Sequence, residues 1–224
     1  MDRNGFRLGL SQILTPRLIM GFDYELITDE GFLSNPYRSY RYLADPLDPG
    51  AGYQWAQEVY PDTRTSDAAA VRLKYALPWR ASAGGLYRFF TDDWGIDAHT
   101  GQLTYTHVLQ NHWFLDFGYR YYQQDAADFY SDLFLFSSQD ENDWRARDKE
   151  LSEFSNHTVS LHLSYKRKFN YGFFDRAAFG IHWDRIWFEY DNFNDLRNDS
   201  LIPGDEGLYE FDADVLKLLF TVWY

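Results

Sequence analysis

Apolar and polar residues alternate with a period of two along most of this chain, the spacing of strands whose side chains point to opposite faces. Phe6, Leu8 and Leu10 alternate with Arg7, Gly9 and Ser11; after a turn at Thr15-Pro16-Arg17, Leu18, Met20, Phe22, Tyr24 and Leu26 alternate with Ile19, Gly21, Asp23 and Glu25. Ala69, Val71, Leu73, Tyr75 and Leu77 oppose Arg72 and Lys74, and past Pro78-Trp79-Arg80 the next strand sets Tyr87 and Phe89 against Arg88. Leu103 and Tyr105 then oppose Gln102, Thr104 and Thr106. Past Leu109-Gln110-Asn111, Trp113, Leu115, Phe117, Tyr119 and Tyr121 oppose Asp116, Gly118 and Arg120. Val159, Leu161, Leu163 and Tyr165 stand against Ser160, His162, Ser164 and Lys166. Ala177, Phe179, Ile181 and Trp183 continue the series, but the apolar face then switches parity to Ile186, Phe188 and Tyr190, a slip expected to mark a β-bulge. The last segment places Leu216, Leu218, Phe220, Val222 and Tyr224 on one face and Lys217, Leu219, Thr221 and Trp223 on the other.

The connections divide into two sets. Around residues 15, 79 and 110 they are tight turns, whereas 28–66, 123–156 and 191–208 are long, acidic and rich in Pro, Gly, Asn or Tyr. The Thr91 to Asp97 link is intermediate, and the Lys166 to Asp175 link is moderately long and basic on the short-turn side. Large apolar side chains on one face and charged or small ones on the other fit a lipid-facing exterior around a polar lumen. A soluble sandwich alternates in the same way, but short turns on one rim and long loops on the other are features of an outer-membrane barrel. The fold class predicted is all-β: an antiparallel transmembrane β-barrel, with about 9–10 strands in this chain. Counting nine strands with the last one ending at the periplasm puts Met1 outside the cell. Single-chain barrels have an even strand number with both ends inside. Residues 1–224 are therefore expected to be one outer-membrane barrel domain, the C-terminal part of a longer barrel, without its N-terminal strands and signal peptide. The spacing of Lys217, Val222 and terminal Tyr224 resembles the C-terminal insertion signal of bacterial outer-membrane barrels, with Leu219 where that signal usually has Gly. The resemblance implies that Leu216 to Tyr224 engages the barrel-assembly machinery.

Composition narrows the function classes. Aromatic residues make up 20% of the chain, with 8 Trp and 18 Tyr, types favoured where one end of a side chain is apolar and the other wet, as at the two boundaries of a bilayer. No run approaches the ~18 consecutive apolar residues of a transmembrane helix. A net charge of −13 argues against nucleic acid, whose phosphates need clustered Lys and Arg; outer-membrane lipid and lipopolysaccharide are the partners expected instead. The absence of Cys removes disulfides, thiolate metal sites and cysteine nucleophiles.

Several segments near the loops carry a family resemblance: Asn35 to Tyr42, Thr63 to Ala68, Asp92 to Thr100, Ala126 to Phe134, and Ala146 to Ser152. Together they resemble an uncharacterised family of Gram-negative outer-membrane proteins, a domain of unknown function expected to form β-barrels. The resemblance runs from about Gly5 to Tyr224 and implies fold and location, but no catalytic residues.

Candidate chemistry is sparse. Asp92, Asp93, Asp97 and His99 lie close together at the top of a hairpin, and oxygen ligands at this density could hold Ca²⁺, although the spacing is not that of an EF-hand. The alternative is a solvated loop braced by Asp to Arg pairs. Arg38, Arg41, Arg64, Arg147 and Lys149 share the long loops with the acids and are expected to pair within them or to touch lipopolysaccharide phosphates. A rim-active hydrolase would draw on Asp148, Ser152, Ser155 and His157, yet no Gly-x-Ser-x-Gly elbow occurs. His107, His112, His162 and His182 are placed in strands as packed or lumen-facing residues rather than ligands. The lumen-facing set is Asp23, Glu25, Arg72, Lys74, Arg88, Asp116, Arg120, His162 and Lys166. Asn156-His157-Thr158 and Asn198-Asp199-Ser200 match the glycosylation sequon without carrying information in a bacterial barrel. The leading reading is an outer-membrane pore, export conduit or surface scaffold. The alternatives are a rim hydrolase and a soluble, aromatic-rich β-sandwich that binds carbohydrate.

Overall fold

A computed structural model describes the chain except residues 111, 141–142, 172–173, 199 and 201. Nine strands form one antiparallel sheet: β1 (Asp2–Thr15), β2 (Leu18–Glu30), β5 (Thr63–Leu77), β6 (Ala81–Asp92), β7 (Asp97–Leu109), β8 (Trp113–Gln124), β9 (Phe154–Tyr171), β10 (Phe174–Asn194) and β11 (Leu208–Trp223). They neighbour one another in this order, each antiparallel to the next. The remaining strands, β3 (Ser39–Leu43) and β4 (Tyr53–Gln57), make a separate two-stranded sheet inside the first long loop. Among the described residues β1 and β11 form no ladder with each other, so the sheet is open.

Two-faced strands stay in register because a one-residue slip would turn a whole apolar row onto the polar face. The ladder aligns Tyr24 with Ala69, Ala69 with Phe89, and Phe89 with His99. It aligns Leu103 with Tyr119, Tyr119 with Val159, and Trp183 with both Leu161 and Leu216. The apolar rows read from the sequence, apart from Ile186, Phe188 and Tyr190, therefore fall on one face. The turns at one end are short: two are closed by Arg80 and Gln110 in the left-handed region, with φ of 60° and 46°. The third residue of the expected turn Leu109-Gln110-Asn111 lies outside the described residues.

Two expectations are corrected. There is no bulge at Trp183/Ile186: β10 pairs with β9 without a shift from Arg176 to Tyr190, and with β11 from Arg176 to Glu189. Ile186, Phe188 and Tyr190 are instead on the polar face, where Phe188 stacks on Phe211 at 4.6 Å and Tyr190 lies 5.3 Å from Phe154 and 5.5 Å from Tyr209. The strand keeps its parity; what changes is that apolar rings cross to the face the loops cover. The Lys166 to Asp175 link is the other correction. It is mostly strand, since β9 runs to Tyr171 and β10 starts at Phe174.

Candidate functional site

The polar face of the wall carries the charges. Register places all nine lumen-facing residues named from the sequence on it: Asp23, Glu25, Arg72, Lys74, Arg88, Asp116, Arg120, His162 and Lys166. Toward β1 they pair across strands: Arg7 with Glu25, Arg72 with Asp23, and Arg3 with Asp29 through bonds of 2.6 and 2.8 Å. On β7 to β10, Thr106 donates to Asp116 (2.6 Å), whose other oxygen is 3.2 Å from His162 Nδ1. Ser160 donates to Asp184 (2.6 Å), which also holds His182 Nε2 at 2.8 Å. The floor between these groups is low. A side chain at Gly84 would come within 2.5 Å of Thr104 Oγ1, so glycine leaves room for its neighbour to lean across. A cavity of about 660 Å³ opens there, bordered by Asp23, Arg72, Lys74, Gly84, Gln102 and Thr104.

The opposite face is apolar, with exposed Val71, Leu73, Leu103, Phe117, Leu161, Leu218 and Phe220. Tyr and His pair on it: Tyr87 with His99 (2.7 Å), Tyr105 with His107 (2.8 Å) and Tyr119 with His157 (2.7 Å).

At the long-loop end three loops interlock into a cap over the polar face. Residues 31–62 and 125–153 are stitched to each other by isolated bridges at Tyr42/Phe134 and Val59/Arg145, and 125–153 is folded on itself by a third at Tyr130/Ala146. Their apolar centre is Tyr60, Trp94, Ile96, Ala127, Phe129, Ala146 and Leu151. Gln124, at the end of β8, seats the cap by donating to the carbonyls of Glu150 (3.0 Å) and Ser152 (2.9 Å). A cavity of about 470 Å³ remains beneath, between Arg3, Arg64, Arg88 and Tyr122 of the wall and Tyr60, Asp148 and Leu151 of the cap.

Charge is buried in the cap, and it is paired. Arg41, whose side chain is 0% exposed, meets Asp132 and Glu206; it donates to Glu206 at 2.6 and 2.9 Å and to the Asp132 carbonyl at 3.0 Å. Arg147 joins the same Asp132 at 2.8 Å and donates to the Asn194 carbonyl at 3.0 Å, tying in the third loop. Hydrogen bonds from Arg41 hold the Glu206 carboxyl down at about 2. Burial pushes Glu58 up, although it accepts from Tyr60 (2.6 Å) and the Arg147 amide (2.8 Å). Asp148, which pairs with Arg38, is also pushed up by burial. The loop cations thus pair internally, as one of the two sequence alternatives had it. Lys149 is different: it lies over the rings of Phe211 and Tyr209, at 5.6 and 5.8 Å. Asp132 and Glu206 had no signal in the sequence beyond being acids in long loops.

The acidic hairpin is not gathered into a ligand set. Asp92 accepts from Arg64 (2.5 and 2.8 Å) and from the amides of Trp94 and Ile96 (3.0 Å each), while Asp93 accepts from the Thr65 amide (2.9 Å). Gly95 closes this turn at φ 87°, where a Cβ would lie 2.4 Å from Asp128 Oδ1. Asp97 pairs with Thr91 in the ladder and His99 turns to Tyr87. Among the described residues no group of three or more His, Cys, Asp or Glu is placed to hold a metal ion. Ser152 donates to the Lys149 carbonyl (2.7 Å) and His157 bonds Tyr119 on the apolar face, so they form no triad with Asp148. His112 precedes β8 rather than lying in it. Asp199 of the second sequon lies outside the described residues.

Residues 2–174 match the family described as "Protein of unknown function (DUF3570)". The chain belongs to this DUF3570 family. No curated protein matches the sequence. Among solved structures this DUF3570 chain is similar in fold to OmpT, an outer membrane protein of Vibrio cholerae. It aligns with an in-vitro folded form at TM-score 0.52 and 11% identity, a trimer form at 0.50 and 12%, and the outer-membrane expressed protein at 0.51 and 10%. In each case 98% of this chain is covered, and it spans 56 to 57% of the OmpT chain. The fold is that of outer-membrane β-barrels, here as an open nine-stranded sheet.

Proposed function

We propose that this DUF3570 protein is an outer-membrane β-barrel whose polar face lines a water-filled path and whose loops cap the outer mouth. The observation that carries the reading is the division of the wall. Its apolar face is bounded by aromatic residues at both ends: Tyr75, Trp79, Tyr105, Trp113 and Tyr165 toward the short turns, and Tyr24, Tyr87, Tyr119, Tyr121 and Trp187 toward the loops. From Trp113 to Tyr121 β8 rises about 26 Å along the strand, or about 20 Å across a bilayer at a tilt of ~40°, against an apolar band of ~25 Å in known barrels. Beyond Leu216 the same face of β11 turns acidic at Asp214 and Asp212, which pair with Arg185, as expected where a strand leaves hydrocarbon.

Open strand edges cannot remain in hydrocarbon, where each unpaired backbone group costs several kcal/mol. The free edges of β1 and β11 therefore favour a wall completed by further strands, with these nine as one sector of a larger barrel. Lipid and lipopolysaccharide surround it, and Leu216 to Tyr224 is the strand offered to the assembly machinery. Under this reading the protein is a pore or conduit and not an enzyme.

Two measurements on the protein extracted in detergent test this. Its electrophoretic mobility should shift on boiling, and it should give stepwise conductance in planar bilayers. Solubility in buffer without detergent, with no mobility shift, would contradict the membrane reading.

A further inference from the structure

The acids and bases of this chain are segregated. Overall the charge is −13 and the acids concentrate in the cap loops; on the polar face Asp23, Glu25 and Asp29 are paired with Arg, and Asp116 and Asp184 are engaged by hydroxyl and imidazole groups, which leaves cations without acids between them. Among the described residues, Lys74 on β5, Arg88 on β6 and Arg120 on β8 have no carboxylate in ion-pair range, in contrast to Arg72, which is neutralised by Asp23. Their register brings them together: Arg120 aligns with Gln102, Gln102 with Leu86, and Leu86 with Arg72, one row from Arg88 and Lys74.

These guanidinium groups are held without being used. Arg88 lies over the Phe90 ring at 5.3 Å and Arg120 over the Tyr122 ring at 5.4 Å, each resting on the aromatic two residues further along its own strand. A ring fixes the planar cation yet takes up none of its N–H donors. Arg88 is thereby a pre-positioned fork facing open space: it borders the 470 Å³ cavity under the cap, while Lys74 borders the 660 Å³ cavity. Such forks match carboxylate or phosphate oxygens.

Resting on the pore reading above, we infer that the path along this wall selects small anions bearing carboxylate or phosphate groups, with Arg88 and Arg120 as the selectivity residues and Lys74 in support. The acidic cap does not reverse this. Its exposed charges sit in water, where screening acts within about 8 Å, whereas wall charges act in a confined space with low-dielectric sides that focuses their field.

The test is the reversal potential across a KCl gradient in planar bilayers, for the full protein and for three variants whose heat-shifted mobility shows that they fold. The unaltered protein should pass chloride in preference to potassium. Arg88→Gln with Arg120→Gln should lower that permeability ratio about tenfold, and Arg88→Lys with Arg120→Lys should keep most of it. Asp195→Asn with Arg197→Gln, which removes a neutral pair from the third long loop and not from the wall, should leave the ratio unchanged. Inorganic phosphate should block chloride current in the unaltered protein and not in the Gln variant. A channel with a cation preference, or a ratio indifferent to the Gln substitutions, would overturn the anion inference and leave the pore standing. An intact, inserted protein with no conductance at all would overturn both.

Discussion

The cap and the wall solve opposite problems with the same residue types. In the cap, Tyr40 (1% exposed), Ile96 (3%) and Ala146 (0%) are buried and Arg41 is sealed between two acids. Among the described residues the wall has no such centre. Leu103, Leu218 and Phe220 are 64, 66 and 73% exposed, while polar groups face inward across its other side. Under the proposed reading the cap meets water on its outside, and the wall an apolar medium against one face. Changes in the two regions should therefore fail in different ways.

The largest effect is expected in the cap. Replacing Arg41 with Ala leaves Glu206 buried without its cation and Asp132 with Arg147 alone, which should cost about 3–5 kcal/mol of cap stability. Proteolysis should then cut within residues 125–153, while the heat-shifted mobility of the wall persists; loss of both together would show that cap and wall are one cooperative unit. Phe129→Ala should loosen the same loops by about 3 kcal/mol or more, because it opens a cavity against Tyr60 and Trp94, at ring distances of 5.6 and 5.2 Å.

Next comes a pair of neighbours on opposite faces. Leu103→Arg puts a charge on the apolar face and should cost about 2–4 kcal/mol when measured in bilayers by denaturant titration. Gln102→Arg, one residue earlier on the polar face, should cost much less. Equal penalties would mean that both faces meet the same medium.

Acidity separates the buried carboxyls more gently. Glu58 and Asp148 are raised by burial, so the folded cap takes up protons more readily than the unfolded chain and gains stability as pH falls through their folded-state values. Glu206, held at about 2 by Arg41, has the opposite sign. Its contribution is present above the ordinary carboxylate range and is lost as pH falls toward 2. Hydrogen exchange in residues 125–153 should slow slightly on mild acidification, then quicken below about pH 4. A monotonic loss of protection from neutrality would contradict the burial of Glu58 and Asp148. The smallest effect is expected for Arg7→Ala, which should leave the denaturant midpoint almost unmoved, because Arg7 holds Glu25 from a largely exposed position.

The sequence made the wall legible and the cap almost opaque. A period of two survives any tertiary context that keeps strands two-faced, so Leu18 to Leu26 and Trp113 to Tyr121 could be assigned to their face residue by residue. It misled at Ile186, Phe188 and Tyr190, because apolar residues also serve the polar face where loops cover it. The cap has no period to read. Tyr60, Trp94, Phe129 and Leu151 come from segments far apart in the chain, and their meeting depends on three loops crossing. Asp92 could be read from the sequence either as a ligand or as a brace because turn-stapling acids and metal-binding acids share a composition, and its bonds to Arg64, Trp94 and Ile96 are those of a brace.

The most direct test of the two-faced wall uses the absence of native Cys. Single cysteines placed in turn from Gly101 to Tyr105 on β7 would be spin-labelled in reconstituted bilayers and probed with oxygen and a water-soluble nickel relaxant. The expected result is strict alternation, with 101, 103 and 105 accessible to oxygen and 102 and 104 to nickel. Nickel access at all five positions would contradict a lipid-facing wall and return the chain to the soluble β-sandwich.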